Sequence, residues 1–138
     1  MGALPLILVP GLMCDHAVWD PLKPYMPAQN ACRVVDHGDA NSLVDMATHL
    51  LHLAPPKFLL AGHSMGARVA LEVVRLAPER VGGVALLSTG YLPKASGLAG
   101  EEEVRKRHRL LQIANDEGVR VMARDWVQGM VHPERLIE

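Results

Sequence analysis

Short uninterrupted apolar runs, separated by stretches with a helical period, set the plan of this chain. Residues 4–9 are apolar throughout and stop at Pro10-Gly11, as a strand buried on both faces would. A loop through Trp19 and several prolines leads to residues 31–35, a second such strand, ending at Asp36. Ser42 with Asp45 makes a capping box, so a helix starts there, with Leu43, Ala47, Leu50 and Leu51 on one face. Pro55-Pro56 ends it, since neither residue offers a backbone donor. Residues 58–61 form a third strand, and residues 65–77 a helix with Val69, Val73 and Leu76 along one side and Pro78 just beyond. Residues 81–87 are a fourth strand. The alternation predicts an α/β fold: an open, mostly parallel sheet of about four strands with flanking helices.

After a loop with Pro93, Gly97 and Gly100 the period changes. Residues 101–115 and 117–130 are expected to be amphipathic helices, the second with a stripe of Val119, Met122, Trp126 and Met130. The basic run Arg105-Lys106-Arg107 follows Glu101-Glu102-Glu103, the pattern of a solvated helix face rather than a phosphate grip. A net charge of −1 gives no electrostatic case for nucleic acid or an anionic membrane. At 138 residues, 49% apolar and 21% charged, the chain is long enough for one globular domain with a real core and too short for two. Cys14 and Cys32 supply neither a disulfide framework nor metal-ligand spacing, which fits free thiols in a reducing cytosol. The first nine residues lack the charged start and the cleavage site of a signal peptide, and no apolar run is long enough to span a bilayer. A cytoplasmic protein without membrane contact is the expectation.

The chemistry centres on Gly62-His63-Ser64-Met65-Gly66. This is G-x-S-x-G, set between the third strand and the second helix, where such a motif can act. The sharp turn forces the serine into a strained backbone conformation, and flanking side chains would clash with neighbouring strand and helix. Gly62 and Gly66 remove that clash. The turn lifts the hydroxyl above the carboxyl edge of the sheet, where open α/β sheets bind ligands, and the helix that follows brings its positive end to a developing oxyanion.

With the second turn at Val9-Pro10-Gly11-Leu12-Met13-Cys14, the chain resembles the α/β-hydrolase superfamily, its small esterase-type members in particular. The likeness runs through Pro10-Gly11, Asp36-His37-Gly38, the GHSMG elbow and Pro78-Glu79-Arg80-Val81. The resemblance implies a strand order of second, first, third, fourth. It makes Ser64 the nucleophile toward an acyl carbonyl, with the backbone N–H groups of Leu12 and Met65 as the oxyanion hole and Gly11 as the turn glycine beside them. It divides the chain into residues 1–97 as the N-terminal part of the hydrolase core and residues 98–138 as lid-type helices of the same domain. Met13, His16, Trp126 and Met130 are then candidates to line the substrate pocket. No metal or cofactor is called for.

The family's triad runs serine, acid, histidine along the chain, the last two after later strands. No further strand is legible after Leu87, and Ser88-Thr89-Gly90 carries no acid. Of the seven histidines, His63 is expected to pack away from the serine, His37, His49 and His52 to lie on the surface, His108 on the charged helix, and His132 downstream with freedom to swing inward. Cys14 reads as a small buried thiol, and Asp116 and Asp125 as solvated helix residues. The expectation is a truncated α/β-hydrolase fold that hydrolyses carboxylic esters or related acyl compounds but holds an incomplete triad, as a homo-oligomer or with a complementing chain. A non-catalytic binding module that retains the elbow, or an acyltransferase on the same scaffold, stands beside it.

Overall fold

The computed structural model describes residues 3–26 and 31–136. The chain divides into two compact units, residues 1–91 and 92–138. The first is a four-stranded sheet of β1 (Leu6–Val9), β2 (Cys32–Val34), β3 (Phe58–His63) and β4 (Val81–Leu87). All pairings are parallel and the order is β2-β1-β3-β4, as the resemblance implied. Parallel strands need crossover connections, here α1 (Leu43–Leu53) between β2 and β3 and α2 (Met65–Leu76) between β3 and β4.

The helix starts and stops follow local chemistry. Ser42 caps α1: its hydroxyl accepts from the Asp45 N–H at 3.0 Å and donates to the Asp45 carboxylate at 2.7 Å. At the other end Arg80 donates to the carbonyls of Leu51 (3.0 Å), Ala54 (2.9 Å) and Pro55 (2.9 Å), covering acceptors that α1 leaves open. Its guanidinium also lies over the Phe58 ring, 5.6 Å from the centroid. This one side chain ties the end of α1 to the starts of β3 and β4.

One face of the sheet is sealed by Ile7, Val9, Phe58 and Leu60 packing on Met46, Ala47 and Leu50 of α1 and Val69, Ala70 and Val73 of α2. Each large side chain buried there contributes about 1.5–3 kcal/mol. Three details differ from the sequence expectation. Leu43, expected on the face with Ala47 and Leu50, is 37% exposed, and Met46 takes the buried place. Leu76 is 39% exposed, because the buried stripe of α2 closes on Ala77 and the last helical residue overhangs it. The loop between β1 and β2 contains a ten-residue 3-10 run, His16–Tyr25, in which Pro21 and Pro24 deny an α-helical ladder. Trp19 on that run is buried against Leu8 and Ala61 on the other sheet face. Beyond β3, β4 has no strand partner among the described residues, and Val84 and Leu86 are exposed on it.

The second unit is a helix pair, α3 (Gly97–Glu117) and α4 (Val119–Val127). α3 starts earlier than its periodicity suggests, taking in Gly97 and Gly100, and the break falls at Gly118, whose φ of 94° only glycine adopts freely. α4 ends at Val127, two residues before Gly129. Of the expected stripe, Met122 is buried, Trp126 half-buried, and Val119 and Met130 exposed. Arg105 pairs with Glu102 at 2.6 Å and Arg107 with Glu103 at 2.6 Å, with Glu103 half-buried and the other three exposed, so the charged block is a solvated helix face. The Arg105 guanidinium holds the Glu102 carboxyl below its usual range. No helix among the described residues is long and apolar enough to cross a membrane.

Candidate active site

β1 and β3 are neighbours with Val9 level with Gly62, so the turns that follow them leave the sheet at the same height. The turn after β3 is the GHSMG elbow. Ser64 sits at its tip with φ 54° and ψ −117°, a region that costs a side-chain-bearing residue about 1–3 kcal/mol. Two hydrogen bonds hold it there: the Ser64 N–H donates to the Leu87 carbonyl at 2.9 Å, and the Ala67 N–H to the Ser64 carbonyl at 3.1 Å.

The flanking glycines are required by close approach. A Cβ on Gly62 would stand 2.5 Å from Ala67 Cα and from the Gly66 carbonyl oxygen. One on Gly66 would stand 2.1 Å from the Val9 carbonyl oxygen and 2.5 Å from that of Pro10. All four obstacles are backbone, so no rotamer change relieves them.

The turn after β1 closes with the Cys14 N–H donating to the Gly11 carbonyl at 3.2 Å, with Met13 at φ 62°. It abuts the elbow: a Cβ on Gly11 would lie 3.2 Å from Ser64 Cβ and 3.1 Å from His63 Nδ1. Leu12 and Met13 are about half exposed on its crest. Met65 is the first residue of α2, where backbone N–H groups have no acceptor within the helix. Ser64, Leu12, Met65 and the three glycines are therefore gathered at one edge of the sheet.

A cavity of about 430 Å³ opens beside Gly11, Leu12 and Met65, lined by residues 10–16, residues 34–38, Ala40, Met46 and Met65, and Ser64 is not among its lining residues. Met13 and His16 are in its wall, whereas Trp126 and Met130 belong to the second unit and are not among the lining residues. His16 is exposed and sits 3.4 Å from the Asp20 carboxylate, which a hydrogen bond from Lys23 holds below its usual pKa range. Cys14 is half-buried in the same wall rather than fully buried. Among the described residues no group of histidine, cysteine and carboxylate side chains could hold a metal ion.

His37 is not a surface residue. Its Nε2 lies 3.1 Å from the Pro10 carbonyl oxygen, it is half-buried, and its ring lines the cavity. A histidine in an Asp-His-Gly turn gives no local sign of reaching 27 residues back, so sequence alone places it on the surface. His49, His52, His108 and His132 are exposed, as are Asp116 and Asp125. His132 turns toward its own chain, its Nδ1 accepting from the Glu134 N–H at 3.4 Å. Among the described residues, no histidine or carboxylate hydrogen-bonds the Ser64 hydroxyl, which also caps no backbone group of α2.

No protein-family profile matches the sequence. Among solved structures, an esterase from Thermogutta terrifontis superposes with a TM-score of 0.70 at 22% identity, over 97% of this chain and 55% of that one. A carboxylesterase from the thaumarchaeon Nitrososphaera gives 0.68 at 20% identity, over 88% of this chain and 48% of that one. The chain has the α/β-hydrolase fold. Sequence relatives of this chain include the dihydrolipoyllysine-residue acetyltransferase component of an acetoin cleaving system from Pseudomonas putida. It is 34% identical over 107 residues, covering 68% of this chain and 29% of that protein. A pimeloyl-[acyl-carrier protein] methyl ester esterase from Klebsiella pneumoniae is 34% identical over 88 residues, 58% of this chain and 34% of that one. The chain thus spans about a third of these curated relatives and about half of the solved structures.

Proposed function

We propose that Ser64 is the nucleophile of a serine hydrolase acting on carboxylic esters or closely related acyl compounds. Its oxygen adds to the acyl carbonyl, the alcohol departs with a proton, and water then cleaves the acyl-enzyme. The backbone N–H groups of Leu12 and Met65 take the oxyanion. Loss of one such donor costs about 10²–10³ in rate in serine hydrolases. The observation that carries this reading is the backbone of Ser64, held at φ 54° on the tip of a strand–helix turn by contacts that only glycine neighbours allow. The activities that two sequence relatives are named for, acetyl transfer and methyl ester cleavage, are both acyl-group chemistry and support it. The chemistry as written calls for neither metal nor cofactor, and the two free thiols suit a reducing cytosol.

A serine hydroxyl at its normal pKa needs a base within hydrogen-bond reach, and none of the described side chains occupies that place. Turnover by this chain alone is therefore limited to what oxyanion stabilisation and binding supply, roughly 10³–10⁴ over water. The test is a fluorophosphonate probe with peptide mapping. A slow, single adduct on Ser64 that Ser64→Ala abolishes supports the assignment; an adduct on Cys14, or none, refutes it.

A further inference from the structure

We propose that His37 is a positioning residue for the oxyanion turn: it fixes the Pro10 carbonyl, and through it the direction of the Leu12 N–H. This rests on the serine reading above and adds a residue to it.

A carbonyl oxygen only accepts, so the 3.1 Å contact requires His37 Nε2 to carry its proton and donate. The same carbonyl oxygen is confined from the other side by α2, where it would stand 2.5 Å from a Cβ on Gly66. It is therefore lodged between an imidazole and the first turn of the elbow helix. The peptide unit is planar, so holding the Pro10 oxygen sets the plane from which Gly11 and Leu12 depart. Among the described residues the other backbone hydrogen bond of this turn is internal to it, from the Cys14 N–H to the Gly11 carbonyl. That bond shapes the turn without aiming it at Ser64.

His37 is itself rigidly mounted. The Val35 N–H donates to the Leu8 carbonyl at 2.9 Å, which locks the end of β2 to β1. The Asp36 carboxylate accepts from the Gly38 N–H at 2.9 Å, and the Ala40 N–H donates to the His37 carbonyl at 3.1 Å. Gly38 completes the turn at φ 53°. An isolated surface turn needs no such bracing. The ring's other nitrogen, Nδ1, is buried with no partner among the described residues, so its placement is dictated by the Nε2 bond and by packing.

The experiment uses the full chain and reads two quantities, the second-order rate of Ser64 labelling by a fluorophosphonate and the thermal midpoint. His37→Leu fills the space without a donor, His37→Asn carries an amide too short to reach, and His37→Gln places an amide N–H near the position of Nε2. The expected result is labelling slowed roughly 10- to 100-fold in His37→Leu and His37→Asn, below the 10²–10³ of losing a donor outright. His37→Gln is expected to recover to within about threefold of the parent, with the adduct still on Ser64 throughout. Should His37→Leu fail to fold, the contrast between Asn and Gln decides the matter. Unchanged labelling in Leu and Asn overturns the proposal, as does equal slowing in Gln and Asn, which is the pattern of a residue that only packs. Failure of the parent chain to label refutes the serine reading, and this proposal with it; labelling that ignores His37 refutes this proposal alone.

Discussion

Gly66→Ala is the sharpest test of how the elbow is built. Within a helix this exchange ordinarily helps, by about 1 kcal/mol, because alanine loses less backbone freedom on folding. Here the added methyl group would lie 2.1 Å from the Val9 carbonyl oxygen, 2.6 Å from the Val9 carbonyl carbon and 2.5 Å from the Pro10 carbonyl oxygen. These atoms belong to the last residue of β1 and the turn after it, so relief requires α2 and β1 to separate. Overpacking of ordinary side chains costs about 1–3 kcal/mol, and immovable carbonyls put this site at the upper end. Gly66 stands in the first turn of α2, where propensity matters least, so the helical gain offsets only part of this and the net loss is about 2 kcal/mol or more. For a unit the size of residues 1–91 that lowers the midpoint by roughly 8–16 °C.

The assay is thermal unfolding by circular dichroism, with fluorophosphonate labelling run alongside. Gly83→Ala is the control: its new methyl group meets only Leu59 Cδ2 at 3.4 Å, ordinary contact on an exposed strand, and its midpoint should stay within about 3 °C of the parent. Labelling should slow in Gly66→Ala, since the movement that relieves the clash carries the Met65 N–H away from the β1 turn. A Gly66→Ala protein that melts with the parent or above it would show that the contact between α2 and β1 is looser than described, and the argument from glycine would fall.

Ser64→Gly should raise the thermal midpoint while abolishing labelling, because glycine adopts φ 54° without the serine's strain of about 1–3 kcal/mol; a lower midpoint would contradict the strain. Arg80→Leu should cost about 2–4 kcal/mol in denaturant titration, since it strips three carbonyls of a charged donor, and Arg80→Lys should recover only part, lacking the fork. The unpaired edge of β4 should pair with a second copy of the chain, seen as a dimer by light scattering at micromolar concentration. A stable monomer there would refute that pairing.

The layout of the sheet was legible because buried parallel strands announce themselves as unbroken apolar runs. Residues 58–61, between Pro55-Pro56 and Gly62, are such a run, and the structure places the buried strand β3 on them; residues 81–87 are apolar too and form β4, but that strand is largely exposed. Strand order came from family resemblance, since nothing in residues 4–9 says which neighbour they pair with. The miss at Leu76 is one of extent: periodicity assigns a face, and only the packed sheet decides where that face ends. Gly97 and Gly100 misled in the other direction. Read as loop formers, they stand in the first turn of α3, where helix propensity matters least.

The site was half legible. Ser64 and its glycines form a local motif, and local motifs survive in sequence. His37 is tied to Pro10 across 27 residues, and such a bond leaves no trace in either segment. Local strain marks the edge more fully than any motif does. Each strand is followed within four residues by a backbone at positive φ: Met13 at 62° after β1, Gly38 at 53° after β2, Ser64 at 54° after β3 and Ser88 at 49° after β4. Among the described residues the other positive-φ positions are Gly97 and Gly118, at the starts of helices. Only one of the four strand ends uses the residue that bears such a conformation without cost. A chain selected for stability alone would put glycine at the other three. Keeping Met13, Ser64 and Ser88 there costs about 1–3 kcal/mol apiece, concentrated on the edge where open α/β sheets bind their ligands. That cost is intelligible if those side chains, or the turns they shape, are needed for the acyl chemistry proposed for Ser64.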